Sequence, residues 1–253
     1  MQVKITGLVI TFNEEEKVET CIRSLKKVCD EIVIVDSFST DRTKEICESL
    51  GVRFISNDFK GHIEQKNFAI TQANYPHVLS LDADEALSDE LAESILEIKS
   101  DWKADAYSMN RLTRYINKWI KHGNWYPDMK SRLWDTSKGK WKGRNPHDKF
   151  ILNEKGKVIH LEGDILHYSI DSITDHLNTI NKFSDISAKA MYESGQGQAL
   201  IKMLVNPFVK FIKSYIIKLG FLDGKYGFIV SWYSSYATFL KYYKLHKLKW
   251  KTK

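Results

Sequence analysis

Residues 80–87 read SLDADEAL, so three acids, Asp82, Asp84 and Glu85, fall within four residues straight after an apolar run. Two unit charges a few ångströms apart repel by about 1 kcal/mol in water, and several-fold more near a protein interior. Such a cluster calls for a cation. Oxygen ligands with no cysteine nearby suit Mg2+ or Mn2+ rather than zinc, and such an ion shares its ligands with waters and substrate phosphates. The chemistry that follows is departure of a sugar from a nucleoside diphosphate, whose leaving charge a metal held by Asp84 stabilises. Asp36, after EIVIV, is placed to accept hydrogen bonds from the base or ribose. Lys66, in GHIEQKN, is a candidate phosphate contact; the bland reading is a solvated surface lysine.

The elements that must position these residues alternate over the first hundred positions. Apolar, β-branched runs at Lys4–Phe12, Glu31–Val35, Val52–Ser56 and His77–Leu81 read as strands. Helical spacing follows each of them, at Glu14–Lys27, Thr40–Leu50, His62–Ala73 and Ser88–Ser100, with Ser88 as an N-cap. Alternation of this kind predicts an α/β fold, a mainly parallel sheet with helices on both faces, and a ligand crevice at the carboxyl ends of the strands. Asn13, Glu14, Asp36, Asp82 and Asp84 all fall at such ends. Any one of them reads equally well as a helix cap; as a set they point into one crevice.

From Ala104 the pattern changes to strand-like pieces at Ala104–Asn110, Lys130–Trp134, Lys149–Leu152 and Lys157–Leu161, then a helix over Asp171–Ser194. Asn206–Pro207 reads as an N-cap with proline in the first helical position, Gly220 as that helix's end, and Tyr226–His246 as a last helix. From Gln198 on there are eleven lysines and one acid, Asp223, a charge of +10 within a net +6. Apolar residues at Ile201, Leu204, Val205, Phe208, Ile212, Tyr215, Ile216 and Leu219 form one helical stripe. Tyr226–Leu240 is uncharged but too short for the ~30 Å hydrocarbon core. An apolar stripe with aromatics and lysines fits an interfacial helix pair on an anionic leaflet; the alternative is a hairpin packed on the rest of the chain or on a second subunit. Cys21, Cys29 and Cys47 form no CxxC pair, which argues for a reducing compartment, and the N-terminus lacks the pattern of a signal peptide.

Four stretches in order, LVITFNEEEKVETCIRSL, EIVIVDSFSTDRT, QKNFAI and LSLDADE, resemble the family 2 inverting glycosyltransferases of the GT-A fold. WYPDMKSRLW, GRNPHDKF, ILHYSIDSITDHLNTINKFS and GFLDGKYGF resemble the bacterial lipopolysaccharide core glycosyltransferases, so the likeness covers nearly the whole chain. It implies a GT-A domain over 1–197, with a nucleotide-sugar half (1–100) and an acceptor half (101–197), followed by basic amphipathic C-terminal helices (198–253). It implies a nucleotide-sugar donor, a UDP-sugar, with Mn2+ or Mg2+, and a glycan or lipid-linked glycan acceptor. Thr11, Asn13, Glu15 and Asp36 are carried over as nucleotide-binding, and Asp82 and Asp84 as ribose, diphosphate and metal ligands. Asp148 is carried over as the base, with His147 standing where the family more often has an acid. The alternative for Asp148 is a structural acid paired with Arg144 or Lys149. His167 is either a further metal ligand or a core histidine. Trp125 and Tyr126 are candidates for stacking on the acceptor sugar, or packing residues, and Arg132 a candidate to assist the leaving group. The implied setting is the cytoplasmic face of the inner membrane, with oligomerisation through the C-terminal helices open. A protein or peptide acceptor, an inactive scaffold, and a nucleic-acid-binding role for the basic tail are the competing readings. The last lacks the motifs of known modules and opposes an acidic cleft to phosphate.

Overall fold

A computed structural model describes residues 2–144, 147–195 and 199–250. The elements run β1 (Ile5–Thr11), α1 (Val18–Leu25), β2 (Glu31–Asp36), α2 (Thr43–Ser49), β3 (Arg53–Ser56), α3 (His62–Thr71), β4 (His77–Asp82), β5 (Glu85–Leu87) and α4 (Asp89–Ser100). They continue with β6 (Ala106–Tyr115), β7 (Lys118–Trp119), β8 (Met129–Asp135), β9 (Gly139–Arg144), β10 (His147–Leu152), β11 (Val158–Ile170), α5 (Ile173–Glu193), α6 (Ala199–Ile212) and α7 (Gly224–Trp250). The chain forms two compact units, Met1–Arg111 with Asp128–Tyr168, and Leu112–Pro127 with Ser169–Lys253.

In the first unit the sheet order is β3-β2-β1-β4-β8-β6-β11-β5. The expected parallel half is there: β2–β3, β1–β2 and β1–β4 are parallel. Beyond β4 the pairings of β8, β6 and β5 are antiparallel. The period-2 alternation of strand side chains divides the interior in two. Ile5, Val9, Ile32, Ile34, Leu79 and Leu81 join the core under α1, α2 and α4. Leu8, Val33, Val35 and Val78 join the core under α3, with Trp134 and Trp141. The parity extends to the strand ends: Asp82 shares the side of Val78, so it projects toward α3.

The segment Glu85–Leu87, between the expected strand His77–Leu81 and helix Ser88–Ser100, is a strand. It pairs antiparallel with β11, Glu85 opposite His167. Ser88 caps α4 as expected, its hydroxyl accepting from the Leu91 N–H at 3.1 Å. The same hydroxyl accepts from the Asp164 N–H at 3.1 Å. That proximity depends on Gly163, which has φ +88° and where a Cβ would lie 2.3 Å from the Leu91 nitrogen.

In the second unit, Tyr115, Ile120, Ile170 and Val230 form a small core, and α5 meets α7 through Ala188, Tyr242 and Leu245. The Asn206–Pro207 helix start is overturned: Pro207 lies inside α6, which begins at Ala199. The Asn206 side chain caps nothing; its Nδ2 donates to Tyr242 Oη on α7 at 3.0 Å. A π-helical turn, Lys213–Ile217, and a 3-10 turn, Gly220–Asp223, join α6 to α7.

Gly163→Ala is expected to cost about 2–3 kcal/mol through positive-φ strain and overpacking. That is about 5–10 °C in melting temperature for a chain of this size, read by thermal denaturation.

Candidate active site

The ends of β1, β2 and β4 are in register, Thr11 opposite Asp36 and Ile10 opposite Asp82. Asp36 is buried, and its carboxylate accepts from Thr11 Oγ1 (2.8 Å), the Ser39 N–H (2.7 Å) and the Ser39 hydroxyl (2.5 Å). The loops after β1 and β2 are laced reciprocally. Asn13, at φ +56°, accepts through Oδ1 from the Thr40 N–H, and its own N–H donates to Ser39 Oγ, both at 2.8 Å. Glu15 accepts from the Arg42 N–H at 3.0 Å while its N–H donates to Asp41 at 3.1 Å. Thr11, Asn13, Glu15 and Asp36 therefore gather at one place, as the sequence order implied.

The QKN triplet on α3 shows why consecutive helical residues, about 100° apart around the axis, serve three neighbours. Gln65 Nε2 donates to Ser37 Oγ at 3.0 Å, after β2. Asn67 exchanges two hydrogen bonds with the backbone of Trp141 on β9, at 2.9 and 3.0 Å. Lys66, between them, is not a solvated surface lysine. It is buried, and its ammonium lies 2.8 Å from Asp82 Oδ1 and 2.8 Å from Asp148 Oδ2. It also stands 4.4 Å over the Trp141 ring. Asp148 thus pairs with Lys66, a partner the sequence did not suggest. Backbone pairing sets Asp148 opposite Gly143 and His147 opposite Arg144; the side chains of Arg144 and His147 lie outside the described residues.

The acids of SLDADEAL are neutralised one by one. Asp82 faces Lys66 and Arg132 Nη2 (2.9 Å). Burial pushes its carboxyl up, but the Lys66 and Arg132 charges win and hold it well below the usual range. Glu85, with a fully buried side chain, accepts from Arg132 Nη2 (3.0 Å), Arg111 Nη1 (3.3 Å) and the Asp82 N–H (3.0 Å). Arg111 continues to Asp128 at 2.9 Å. Arg132 is buried 5.4 Å from the Trp141 ring, with its Nε and Nη1 lacking a protein partner. Asp84 Oδ2 lies 3.2 Å from His167 Nε2, with its side chain 24% exposed. Burial raises its carboxyl, and the hydrogen bond and charge from His167 outweigh that and lower it.

Two residues noted in the sequence, Glu85 and Glu14, had no role assigned to them there. Glu85 holds both arginines, yet its partners stand 26 and 47 positions away. Its signal was its place in the three-acid cluster of SLDADEAL. Glu14 is the other: burial, then the Asp84 charge, push its carboxyl up to about 7, against Lys17. Trp125 and Tyr126 belong to the second unit, where Trp125 packs edge-on to Tyr115 (5.8 Å) and His176 (5.6 Å).

The sequence model of the family described as Glycosyl transferase family 2 matches residues 8–160. The chain belongs to this family. It is a glycosyltransferase, and its α/β sheet is the GT-A arrangement the motifs implied. Among its relatives is an uncharacterized glycosyltransferase of Rickettsia bellii (strain RML369-C), 32% identical over 259 residues, spanning 97% of this chain and 87% of the relative. The lipopolysaccharide core biosynthesis glycosyltransferase LpsC of Rhizobium meliloti (strain 1021) is 29% identical over 258 residues, spanning 98% and 95%. Among solved structures, S. aureus TarS 1–349 in complex with UDP is similar at a TM-score of 0.47 and 16% identity, covering 99% of this chain and 92% of that one.

Glu85→Gln leaves two arginines short of a carboxylate, one of them buried. It is expected to destabilise by about 3–5 kcal/mol, read by denaturant unfolding. For Glu14 the folded pKa lies above the unfolded 4.5, so its contribution is complete below pH 4.5 and is lost as pH rises through about 7. Glu14→Gln removes that loss. In EDTA, its melting temperature relative to the parent chain should climb by about 3 °C from pH 4.5 to 7.5; a flat difference would refute the assignment.

Proposed function

We propose that this family 2 enzyme is a metal-dependent inverting glycosyltransferase. It moves a sugar from a nucleotide-diphosphate donor, a UDP-sugar, to a hydroxyl of lipopolysaccharide core or another lipid-linked glycan. The observation that carries the reading is the single ammonium of Lys66 bridging Asp82, at the end of a parallel strand, and Asp148, on β10. One lysine thereby ties the donor-side acid to the candidate base.

Asp148 is the base that takes the proton of the acceptor hydroxyl as that oxygen attacks the anomeric carbon opposite the diphosphate. A diphosphate entering the crevice competes for Lys66. As the ammonium turns to phosphate, Asp148 gains a free oxygen for the acceptor. Arg132, with Nε and Nη1 unpaired, is a donor available to the leaving group. The laced loops carrying Thr11, Asn13, Glu15 and Asp36 receive the nucleoside.

The residues present fit a divalent cation at Asp84 and His167, an oxygen–nitrogen pair 3.2 Å apart and partly open. They fit it less well at Asp82, whose oxygens Lys66 and Arg132 already hold. Among the described residues no three His, Cys, Asp or Glu side chains group as a metal site, so waters and diphosphate oxygens would complete the shell. The ion supplies charge stabilisation for the departing diphosphate. On this reading the chain works peripherally at the cytoplasmic face of the inner membrane; among the described residues no helix is long and apolar enough to cross a membrane.

Asp148→Asn should lower kcat by about 10²–10⁴-fold with donor affinity little changed; near-normal turnover of a folded variant removes the base assignment. A thermal-shift screen of nucleotide sugars with and without Mn2+ should find a UDP-sugar stabilising by about 2.7 kcal/mol at 100 times its Kd. His167→Ala should weaken the Mn2+-dependent part of that shift. Inversion is read from the anomeric configuration of the product, and a peptide acceptor outperforming glycans would replace the acceptor class.

A further inference from the structure

The α6–α7 hairpin leaves a large apolar face exposed. On α6, Ile201, Leu204 and Phe208 are 66%, 71% and 73% exposed, and Ile217 in the following π-helical turn is 68% exposed. What faces α7 is mixed: Met203 packs with Tyr242 and Leu245, and Phe211 lies edge-on to Phe228 (5.8 Å) and Trp232 (6.3 Å), beside small and polar groups. Asn206 donates to Tyr242 Oη, Ser235 donates to the Pro207 carbonyl at 2.6 Å, and Ser231 donates to Ser214 Oγ at 3.0 Å. A Cβ at Gly227 would fall 1.8 Å from the Gly220 carbonyl oxygen, so α7 meets the connecting 3-10 turn at glycine. Small residues at the contact with polar groups as glue are how helices associate where water offers no hydrophobic drive between them. Soluble monomers rarely leave an apolar face this large uncovered.

The turn between the helices continues the face, with Ile216, Leu219, Phe221 and Leu222 exposed. On α7, Phe228 and Trp232 extend it, their rings stacked at 6.4 Å. The charge around it has one sign. From 198 on, Asp223 is the single acid among eleven lysines. It is buried and consumed by the N–H groups of Lys121 and His122 and by the His122 ring. Lys210 is lowered by burial and then by Lys218, Lys213 and Lys241, so the lysines crowd one another. An anionic surface relieves that crowding, and an apolar one covers the stripe. An anionic lipid leaflet offers both.

We propose that the α6–α7 hairpin is a monotopic membrane anchor. Its outward apolar face and the 216–222 turn enter the acyl region of one leaflet of an anionic bilayer, with the lysines among the headgroups. This deepens the membrane-surface part of the function proposed above, yet it rests on the hairpin and not on the catalytic residues.

The test is co-sedimentation of the full chain with vesicles of phosphatidylcholine alone or with phosphatidylglycerol. The chain should pellet with the anionic vesicles. Salt at about 0.5 M, which screens beyond a few ångströms, should weaken that binding without abolishing it. Ile217→Asp with Leu222→Asp, both at exposed positions, should lower partitioning about tenfold or more, with melting temperature and UDP-sugar hydrolysis unchanged. Lys213→Gln with Lys218→Gln should weaken binding to the anionic vesicles only. A parent chain that stays in the supernatant, or an acidic pair that pellets like it, overturns the proposal. So does a stable dimer that ignores vesicles and that the acidic pair converts to monomer, since the face would then belong to a second copy. Loss of glycosyl transfer with vesicle binding intact defeats the proposed reaction and leaves the anchor standing.

Discussion

Everything in the first unit turns on neutralising buried carboxylates at the end of β4. Glu85 is buried beyond reach of solvent and Asp82 is partly buried beside it, and an unpaired buried charge costs several kcal/mol. Lys66, Arg132 and Arg111 supply the balance, and each comes from a different element. The charge requirement therefore welds α3, β6 and β8 to the β4–β5 turn. Lys66 extends the weld to Asp148 on β10. The same contacts that hold the fold also aim the groups that the chemistry needs. Asp84, partly exposed, meets a histidine where the other two acids meet lysine or arginine.

The sheet explains why these groups can meet at all. Alternation along β4 sends Asp82 to the α3 side, while the helices on the opposite face take the other parity of side chains. On α3 itself, three successive side chains diverge to three neighbours, so one turn ties the loop after β2, the acidic cluster and β9 together. His167 arrives by a different route, through the antiparallel pairing of β11 with β5. That arrangement makes Glu85 both a ladder residue and the anchor of two arginines.

The second unit obeys a different rule. Its α6–α7 contact combines polar pairs such as Asn206–Tyr242 with Met203 and Phe211, while much of the apolar stripe faces out. A helical stripe in the sequence says that a face is apolar; it does not say what the face meets. The proline at 207 illustrates the same gap. It looked like a helix start because proline is favoured there, but it is held within α6, its carbonyl accepting from Ser235 of the neighbouring helix.

The sequence by itself determined the alternation of strands and helices in the first hundred residues, the cap at Ser88, and the placing of Asn13, Asp36, Asp82 and Asp84 at strand ends. These follow from local periodicity and local hydrogen bonding, which act over a few residues. The family, too, was legible in four ordered motifs. Only the tertiary structure decided which cation answers each acid. The partners of Lys66 lie 16 and 82 positions away, and those of Glu85 lie 26 and 47 away; pairing over such distances is set by sheet order and strand register. The β5 strand was invisible because three residues carry no period, and its pairing partner comes about eighty residues later. The outward turn of the C-terminal stripe was likewise undecidable from spacing, since an apolar face reads the same whether a core or a membrane covers it.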